Sequence, residues 1–419
     1  MAGQKYYDRL FKPIVQYFLL ISILIIFSIS DSYSAQGSID VSSTPTPDNS
    51  NTYRPHQNIP VVIAKPPKIQ LNAAAWVLMD YDTGVVLTEK NMNVKRKPAS
   101  LTKILTTYVI GQALEHDSIQ WDEKVTISKK AWKTGGSKMF IKPGDQVTVG
   151  TLVKGIIIPS GNDATIALAE FVAGSDAAFT QLMNHTAQQL GMNDSHFSNP
   201  DGLPAKDQYT TAYDMAILSC AFIHAFPDLY KLYKEQSFTY NGITQYNRNR
   251  LLKSNPNVDG IKTGYTKEAG FNLASSAVED GRRLIGIILG ASSDTARTEE
   301  SNKLLTYGFR FFENYEVATP AKPVAYIKID NAQDYDYKLP VSVNEDIILS
   351  LAKGQDKQLE FSVTPNENLQ APIKKDQQVG NLAISLDNQV IVTKPVFAEN
   401  DVDKSGFFGN IFNHIKSWF

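Results

Sequence analysis

Three short motifs follow one another along the chain and carry side chains suited to acyl transfer. They are Ser100-Leu-Thr-Lys103, Ser160-Gly-Asn162 and Lys262-Thr263-Gly264. A serine that attacks an amide needs a base, and a lysine can serve when burial or a second cation keeps it neutral. The ordered series S-x-x-K, S-x-N, K-T-G is typical of serine enzymes that open an amide through an acyl-enzyme. The sequence therefore predicts a serine acyl-transferase.

Each motif is short enough to occur by chance, and this chain contains a chance match to each. Ser350-Leu-Ala-Lys353 matches the first motif, Ser342-Val-Asn344 the second and Lys133-Thr-Gly135 the third. The two serine matches fall in a stretch that we predict to be all β. The lysine match precedes the S-x-N motif and lies in a predicted loop. Order and local context therefore favour the first set.

The first motif opens a predicted helix that runs to about Ala113. Residues three apart on a helix lie on one face, so Ser100 and Lys103 should be one turn apart. Ser100 also meets the positive end of the helix dipole. We predict that Ser100 is the nucleophile and Lys103 its base, and that Lys262 is a nearby cation that lowers the pKa of Lys103.

The second motif follows the apolar run Gly155–Pro159 and precedes a helix that begins at Asn162. Ser160 could relay a proton between Lys103 and the leaving amine. Asn162 could hold a substrate amide, because its side chain both donates and accepts hydrogen bonds. The alternative is an ordinary helix N-cap, and the two interpretations are compatible.

The third motif is predicted to lie on an edge strand. Gly264 would let a substrate backbone approach and pair with that strand. Lys262 and Thr263 could bind a carboxylate there. Arg297, near the start of a later helix, could clamp the same carboxylate through two hydrogen bonds. The alternative for Arg297 is a solvated surface arginine.

Composition narrows the function further. The chain has 419 residues and a net charge of −2, which suits two domains with extra segments and gives no basic excess for nucleic acid. The single cysteine, Cys220, excludes an internal disulfide and is predicted to be a buried small hydrophobe. The histidines lack metal-ligand spacing. We therefore predict no metal, no cofactor and no nucleic-acid partner.

The two ends of the chain indicate export and a membrane surface. Residues 1–35 combine basic residues, the apolar stretch Ile14–Ile29 and small residues up to Ala35, as in a secretory signal peptide. An uncleaved anchor is the alternative. Residues 36–70 are polar and predicted to be a disordered linker.

Residues 404–419 are predicted to form an amphipathic helix. Phe407, Ile411, Ile415 and Trp418 recur at helical spacing. The helix is too short to cross a bilayer but can lie flat in its interface. Packing on its own domain is the alternative.

Two domains are predicted between these ends. Over residues 71–316, strands come first, helices follow and strands return, which predicts an α/β domain with a mixed sheet covered by helices. Residues 320–398 contain six short strand candidates separated by Pro, Gly, Asn and Asp. They predict a small all-β domain.

Longer stretches around these motifs give the chain a family resemblance. The stretches are Arg96–Lys103, Gly155–Ala164, His196–Leu203, Thr210–Ala216, Val258–Gly264, Leu304–Phe312 and Ala371–Lys375. From about Ala73 onward the chain resembles the low-molecular-mass penicillin-binding proteins, the serine-type D-alanyl-D-alanine carboxypeptidases of the penicillin-binding protein 5 and 6 group.

The resemblance implies a transpeptidase/β-lactamase-like catalytic domain, a β-rich stalk and a C-terminal helix on the outer face of the inner membrane. It implies a periplasmic enzyme that acts on peptidoglycan pentapeptides and is acylated by β-lactams. Within this chain it implies a set of roles for the motif residues: Ser100 as acyl nucleophile, Lys103 as proton acceptor, Ser160 as proton shuttle, and Lys262, Thr263 and Arg297 around the terminal carboxylate.

Three alternatives share some of these features. A class A-like β-lactamase uses a glutamate for deacylation, and the segment Gly191–Leu203 contains none. A peptidoglycan D,D-endopeptidase on the same fold differs only in the bond it cuts. A non-catalytic cell-wall binding protein would not need the intact Ser100 and Lys103.

Overall fold

The computed structural model describes residues 66–333 and 337–405. The predicted signal peptide, most of the predicted linker and residues 406–419 of the predicted amphipathic helix lie outside these ranges. Among the helices of the described ranges, none combines the length and hydropathy needed to cross a membrane.

Helices and strands of the described ranges are numbered in chain order. The helices are α1 (Thr102–Glu115), α2 (Lys129–Lys133), α3 (Val149–Ile157), α4 (Asn162–Ala173), α5 (Asp176–Gln189), α6 (Ala212–Ala225), α7 (Pro227–Tyr230), α8 (Leu251–Ser254) and α9 (Asp294–Phe311). The strands are β1 (Ala75–Asp80), β2 (Val86–Lys90), β3 (Lys124–Thr126), β4 (Gln146–Thr148), β5 (Ser237–Tyr240), β6 (Ile243–Tyr246), β7 (Val258–Thr266), β8 (Gly270–Glu279), β9 (Arg282–Ala291), β10 (Phe312–Ala318), β11 (Ala325–Lys328), β12 (Lys338–Ser342), β13 (Ile347–Ala352), β14 (Leu359–Pro365), β15 (Gln378–Leu386) and β16 (Gln389–Ala398).

A five-stranded sheet organises the first domain, in the order β2-β1-β9-β8-β7. The strand that carries the K-T-G motif, β7, lies at one edge, as predicted. Every neighbouring pair is antiparallel, so the prediction of a mixed sheet was wrong in this respect. The reason is that short turns join β7, β8 and β9, and a short turn can connect only antiparallel neighbours. The α/β fold class itself is confirmed.

Both faces of this sheet are covered. Alternate residues of a strand point to opposite faces, and β1 is buried on both. Ala75, Val77 and Met79 pack into the core that contains α1 and α3 to α6. Trp76 and Leu78 pack into a second core that includes α9. The sheet is thus held between helical layers, which fixes its edge strand β7.

Helix α1 passes through the core rather than along the surface. Its first ten residues, from Thr102 to Gly111, are all buried. A helix that is buried all round has no solvated face on which a charged side chain can lie. Lys103 is therefore buried by the position of its helix. Cys220 in α6 is also fully buried, as predicted.

The C-terminal part of the described chain is all β, which confirms the predicted architecture. Strands β10 and β13 pair, and a second sheet has the order β11-β12-β16-β15-β14. All six predicted strands are present. Strand β10 was not predicted, because Phe312–Ala318 follows α9 directly and its apolar and polar residues do not alternate strictly.

A buried polar cluster joins the two sheet systems. The Asp80 carboxylate accepts hydrogen bonds from Arg282 Nε at 2.7 Å and from Thr83 Oγ1 at 3.0 Å. The hydroxyl of Ser350 lies 2.7 Å from that of Thr83 and donates to Asn314 Oδ1 at 2.6 Å. The serine of the chance S-x-x-K match is thus fully engaged in a structural contact.

Candidate active site

Ser100 lies in a single 3₁₀ turn, Ala99–Leu101, immediately before α1. Lys103 Nζ donates to Ser100 Oγ at 3.1 Å. This is the one-turn spacing that the sequence predicts. It brings an amine within direct proton-transfer distance of a hydroxyl.

Lys103 Nζ also has two further acceptors. It donates to Asn162 Oδ1 at 2.7 Å and to the carbonyl oxygen of Asp201 at 2.5 Å. Burial lowers the pKa of Lys103 to about 8, although the charges of Asp201 and Asp163 raise it; the cation of Arg248 lowers it further. The neutral amine that a base requires is therefore accessible near physiological pH.

The acceptor Asp201 was missed by the sequence analysis. Its side chain is buried, and burial raises its pKa while the charge of Lys103 lowers it. Next to it, Gly202 has φ +82°, and a Cβ there would lie 2.0 Å from the Ala99 carbonyl oxygen. This glycine therefore lets the loop lie against the turn that holds Ser100. The Asp201-Gly202 pair is typical of a turn. A turn alone does not show that the Asp201 carbonyl group faces Lys103.

Asn162 links Lys103 to a neighbouring loop. Its Oδ1 accepts from Lys103, and its Nδ2 donates to the Gly135 carbonyl oxygen at 2.7 Å. A Cβ on Gly136 would lie 2.6 Å from that Nδ2. The chance K-T-G match therefore contributes a backbone group beside the site. Both polar atoms of Asn162 are engaged within the protein, so it positions Lys103 in addition to any contact with a substrate amide.

Helix α4 does not begin with an ordinary side-chain cap. Gly161 occupies the N-cap position and no side chain caps it, so that interpretation of the second motif was wrong. Asp163 in the first turn instead accepts from the backbone N–H groups of Met139 and Phe140, each at 2.9 Å. The carboxylate near the helix N-terminus thereby holds the loop that follows Gly136.

Ser160 has two unusual properties. Its φ is +64°, a left-handed conformation that costs a residue with a Cβ on the order of 1–2 kcal/mol. Its hydroxyl is buried without a hydrogen-bond partner in the described structure. The structure does not join Ser160 to Lys103 by a hydrogen bond. A strained residue with a free buried hydroxyl is the kind of group found at functional sites.

Lys262 and Thr263 are both buried in β7. Lys262 Nζ donates to the Thr263 carbonyl oxygen at 3.3 Å. Burial holds the pKa of Lys262 well below its usual range, and the cations Lys103, Arg248 and Arg297 lower it further. Lys103 and Lys262 therefore lie in one cluster of cations, in which the charge of Lys103 lowers the pKa of Lys262. The cation that lowers the pKa of Lys103 is Arg248, and the predicted effect of Lys262 on Lys103 stays a prediction.

Gly264 lies close to the turn that holds Ser100. A Cβ there would lie 2.9 Å from the Pro98 carbonyl oxygen and 3.2 Å from the Ala99 Cβ. This close approach is made by the protein's own Ser100 turn, and the pairing of a substrate backbone with the strand that carries Gly264 stays a prediction. Gly264 sets the distance between the first and third motifs.

Arg297 lies near the start of α9 and is only 6% exposed, so the surface interpretation was wrong. Its Nη1 donates to the Gly264 carbonyl oxygen at 3.1 Å, and its guanidinium forms an ion pair with Asp294. Its Nε is buried and has no hydrogen-bond partner among the described residues. Arg297 therefore lies against the third motif and keeps an unused donor.

Arg248 is a further cation that the sequence analysis missed. Its Nε donates to the Pro159 carbonyl oxygen at 3.2 Å, directly before the second motif. In sequence it sits within Asn247-Arg-Asn-Arg250, which looks like any solvated loop. Across residues 66–333 and 337–405, no three His, Cys, Asp or Glu side chains lie together as a metal site would require.

Comparison with known protein families shows to which family the chain belongs. The family model for D-alanyl-D-alanine carboxypeptidase, peptidase S11, matches residues 61–293. The model for the penicillin-binding protein 5 C-terminal domain matches residues 312–404. The chain belongs to the peptidase S11 family of D-alanyl-D-alanine carboxypeptidases. The predicted family resemblance is confirmed.

Three similar proteins illustrate this membership. The D-alanyl-D-alanine carboxypeptidase DacC of Escherichia coli is 47% identical over 358 residues, covering 83% of this chain and 89% of the relative. The crystal structure of DacD from Francisella tularensis has a TM-score of 0.73 at 40% identity, covering 82% of this chain and 97% of that one. Penicillin-binding protein 5 from Haemophilus influenzae also has a TM-score of 0.73, at 37% identity, covering 81% and 100%.

Proposed function

We propose that this protein is a serine-type D-alanyl-D-alanine carboxypeptidase that removes the terminal D-alanine from peptidoglycan stem pentapeptides. The observation that carries the proposal is the 3.1 Å contact of Lys103 Nζ with Ser100 Oγ, in a chain of this family. A lysine whose pKa is lowered to about 8 can take the proton of that hydroxyl.

In the acylation step, Ser100 Oγ attacks the carbonyl carbon between the last two D-alanines while Lys103 takes its proton. The C–N bond then breaks, and the amine of the terminal D-alanine leaves with a proton. Ser160 is our candidate to pass that proton from Lys103, because its buried hydroxyl has no hydrogen-bond partner among the described residues. In deacylation, water attacks the Ser100 ester, Lys103 takes a proton from the water, and Ser100 regains a proton as it leaves.

The free carboxylate of the substrate is the second part of the proposal. Lys262, Thr263 and Arg297 cluster at β7, where desolvated cations would gain most from an anion. Arg297 is held against Gly264 and retains its free Nε. A side chain that binds the terminal carboxylate would direct cleavage to the C-terminal peptide bond, as in a carboxypeptidase, and away from internal bonds.

The proposal also covers the location of the protein, its inhibitors and the bounds of its domains. We place the protein in the periplasm, on the outer face of the inner membrane, after removal of residues 1–35. Residues 404–419 would lie in the lipid interface, and the domains would span residues 71–316 and 320–398. β-Lactams would acylate Ser100, because they present an amide to the same nucleophile.

The test is product analysis with the mature protein, residues 36–419. Wild type should release D-alanine from a stem pentapeptide and leave a crosslinked dimer of stem peptides uncut. Ser100→Ala should release none, while the matched control Ser350→Ala should retain the activity. Cleavage of the crosslink without release of D-alanine would favour the endopeptidase. Turnover of penicillin without peptide cleavage would favour the β-lactamase, and no cleavage by wild type would favour the binding protein.

A further inference from the structure

An open cavity of about 230 Å³ lies beside the segment that leads to Ser100. It is lined by Lys95, Arg96, Lys97, Tyr209 and Glu268. The three basic residues precede the Ser100 turn, and Glu268 belongs to the turn between β7 and β8. The cavity is thus bounded by extensions of the two segments that carry the first and third motifs.

The charge of this cavity is only partly neutralised. Lys95 pairs with Asp194 at 3.5 Å. Lys97 Nζ lies 3.7 Å from the Glu268 carboxylate and donates hydrogen bonds to the carbonyl oxygens of Ala205 and Lys206, at 3.0 and 2.9 Å. Among the described residues, no carboxylate lies within ion-pair distance of Arg96. The Arg96 Nε is buried and has no hydrogen-bond partner within the described part of the chain. The cavity therefore has one cation more than its own acids can neutralise.

Arg96 is held in place rather than free to move into solvent. Its backbone exchanges two hydrogen bonds with Thr210, at 2.7 and 2.8 Å. A Cβ on Gly290 would lie 3.0 Å from its Nη2, so the guanidinium packs close to that backbone. A guanidinium fixed in this way loses little entropy when it binds a carboxylate through two hydrogen bonds.

The cavity also lies where the residues that precede the scissile bond of a bound peptide would be. A peptide that pairs antiparallel with β7, with its terminal carboxylate near Thr263, has its preceding residues toward Thr266 and the turn with Glu268. Three residues of strand span roughly 10 Å, which places the third residue of the stem peptide near that turn. Tyr265 on this stretch is 55% exposed, so the edge is accessible there.

We infer that this cavity is a subsite for a free carboxylate on the acyl side of the stem peptide, with Arg96 and Lys97 as its ligands. The inference rests on the proposed function. Such a carboxylate could come from the γ-linked D-glutamate at position two or from the side chain of a diamino diacid at position three. Glu268 would suit the amine of that diacid.

The test compares four substrates on Arg96→Gln, Lys97→Gln and wild type. They are the pentapeptide with D-glutamate and meso-diaminopimelate, its L-lysine analogue at position three, its D-isoglutamine analogue at position two, and diacetyl-L-Lys-D-Ala-D-Ala. The last peptide has no carboxylate except its C-terminus. Lys231→Gln, which removes an exposed cation outside the cavity, is the matched control.

The measured quantity is the ratio of kcat/KM for the full pentapeptide to kcat/KM for the short peptide. It should fall about tenfold in Arg96→Gln and in Lys97→Gln, as expected for a lost charged hydrogen bond, and stay constant in Lys231→Gln. The analogue that abolishes this extra loss identifies which carboxylate is bound. If Arg96→Gln has a clearly lower melting temperature than wild type, the ratio measured for Lys97→Gln tests the inference.

An unchanged ratio in Lys97→Gln and in a folded Arg96→Gln would overturn the subsite. So would an equal extra loss with both analogues, because neither carboxylate would then be the ligand. Failure of wild type to release D-alanine from any of the four peptides would instead overturn the proposed function, so the two failures are distinguishable.

Discussion

Lys103 Nζ lies 3.1 Å from Ser100 Oγ, although Lys103 is completely buried. The two residues are one turn apart at the start of a helix whose first ten residues are all buried. The fold therefore removes water from the lysine and at the same time sets its distance to the hydroxyl. This pairing determines both the pH dependence and the sensitivity to substitution that we expect.

The first prediction concerns pH. Burial lowers the pKa of Lys103 to about 8, so the fraction of neutral amine rises as the pH increases through that value. The single-turnover rate of acylation by a penicillin should therefore rise through about pH 8. Lys103→Arg keeps its charge and should lose acylation by several kcal/mol in a folded protein. Stopped-flow measurement of both proteins checks this; a flat profile, or near-normal acylation by Lys103→Arg, would show that another group is the base.

The second prediction concerns Asn162. Its Oδ1 lies 2.7 Å from Lys103 Nζ, so Asn162→Asp would put a carboxylate next to the amine. An adjacent negative charge favours the protonated lysine and raises its pKa. The midpoint of the acylation profile should move upward by about one pH unit or more, and the rate at neutral pH should fall. The exposed Asn193→Asp is the control, and a downward shift in Asn162→Asp would contradict the assignment.

The third prediction concerns the substrate carboxylate. Arg297→Ala removes the side chain that donates a hydrogen bond to the Gly264 carbonyl oxygen. It also removes a cation from the cluster at β7. Loss of the donor should affect all substrates, but loss of the cation should affect only those with a free carboxylate. The kcat/KM of a free-acid peptide should fall by about 1.5–3 kcal/mol more than that of its C-terminal amide. Arg310→Ala, on the exposed side of the same helix, is the control. Equal losses for both peptides would make Arg297 purely structural.

The fourth prediction concerns the membrane. The Ser405 backbone N–H donates to the Asn331 carbonyl oxygen at 2.9 Å, so the truncation should follow Ser405. Each large apolar side chain buried in the interface contributes on the order of 1–2 kcal/mol. Full-length mature protein should float with liposomes, and the truncated form should not, while both release D-alanine from a short peptide. Phe412→Asp should bind more weakly than wild type. Flotation of the truncated form would mean that another segment is the anchor.

Regular periodic elements could be predicted closely. The helix that the first motif opens was expected to run to about Ala113, and α1 runs over Thr102–Glu115. The β5–β6 hairpin was missed although Asn241-Gly242, a strong hairpin signal, connects its strands. The antiparallel sheet could not be deduced from element order alone, since β9 must cross to pair with β1.

Contacts within one element of the site could be predicted, but contacts with distant backbone could not. Ser100 and Lys103 share one helical turn, so their spacing follows from the sequence. The carbonyl groups of Asp201 and Gly135 come from remote loops, and every residue has such a group. Only the packing of those loops reveals which carbonyls face the site.

The most direct test of the account is to locate the acyl group that a penicillin leaves on the protein. Mature wild type, Ser100→Ala and Ser350→Ala would be treated with a penicillin, digested and mapped by mass spectrometry. We expect one adduct, on the peptide that contains Ser100, in wild type and in Ser350→Ala, and none in Ser100→Ala. Ser350→Ala should only lower the free energy of unfolding, by about 1–3 kcal/mol for the lost buried hydrogen bonds. An adduct that persists in Ser100→Ala, or that maps to Ser160 or Ser350, would contradict the assignment of the nucleophile.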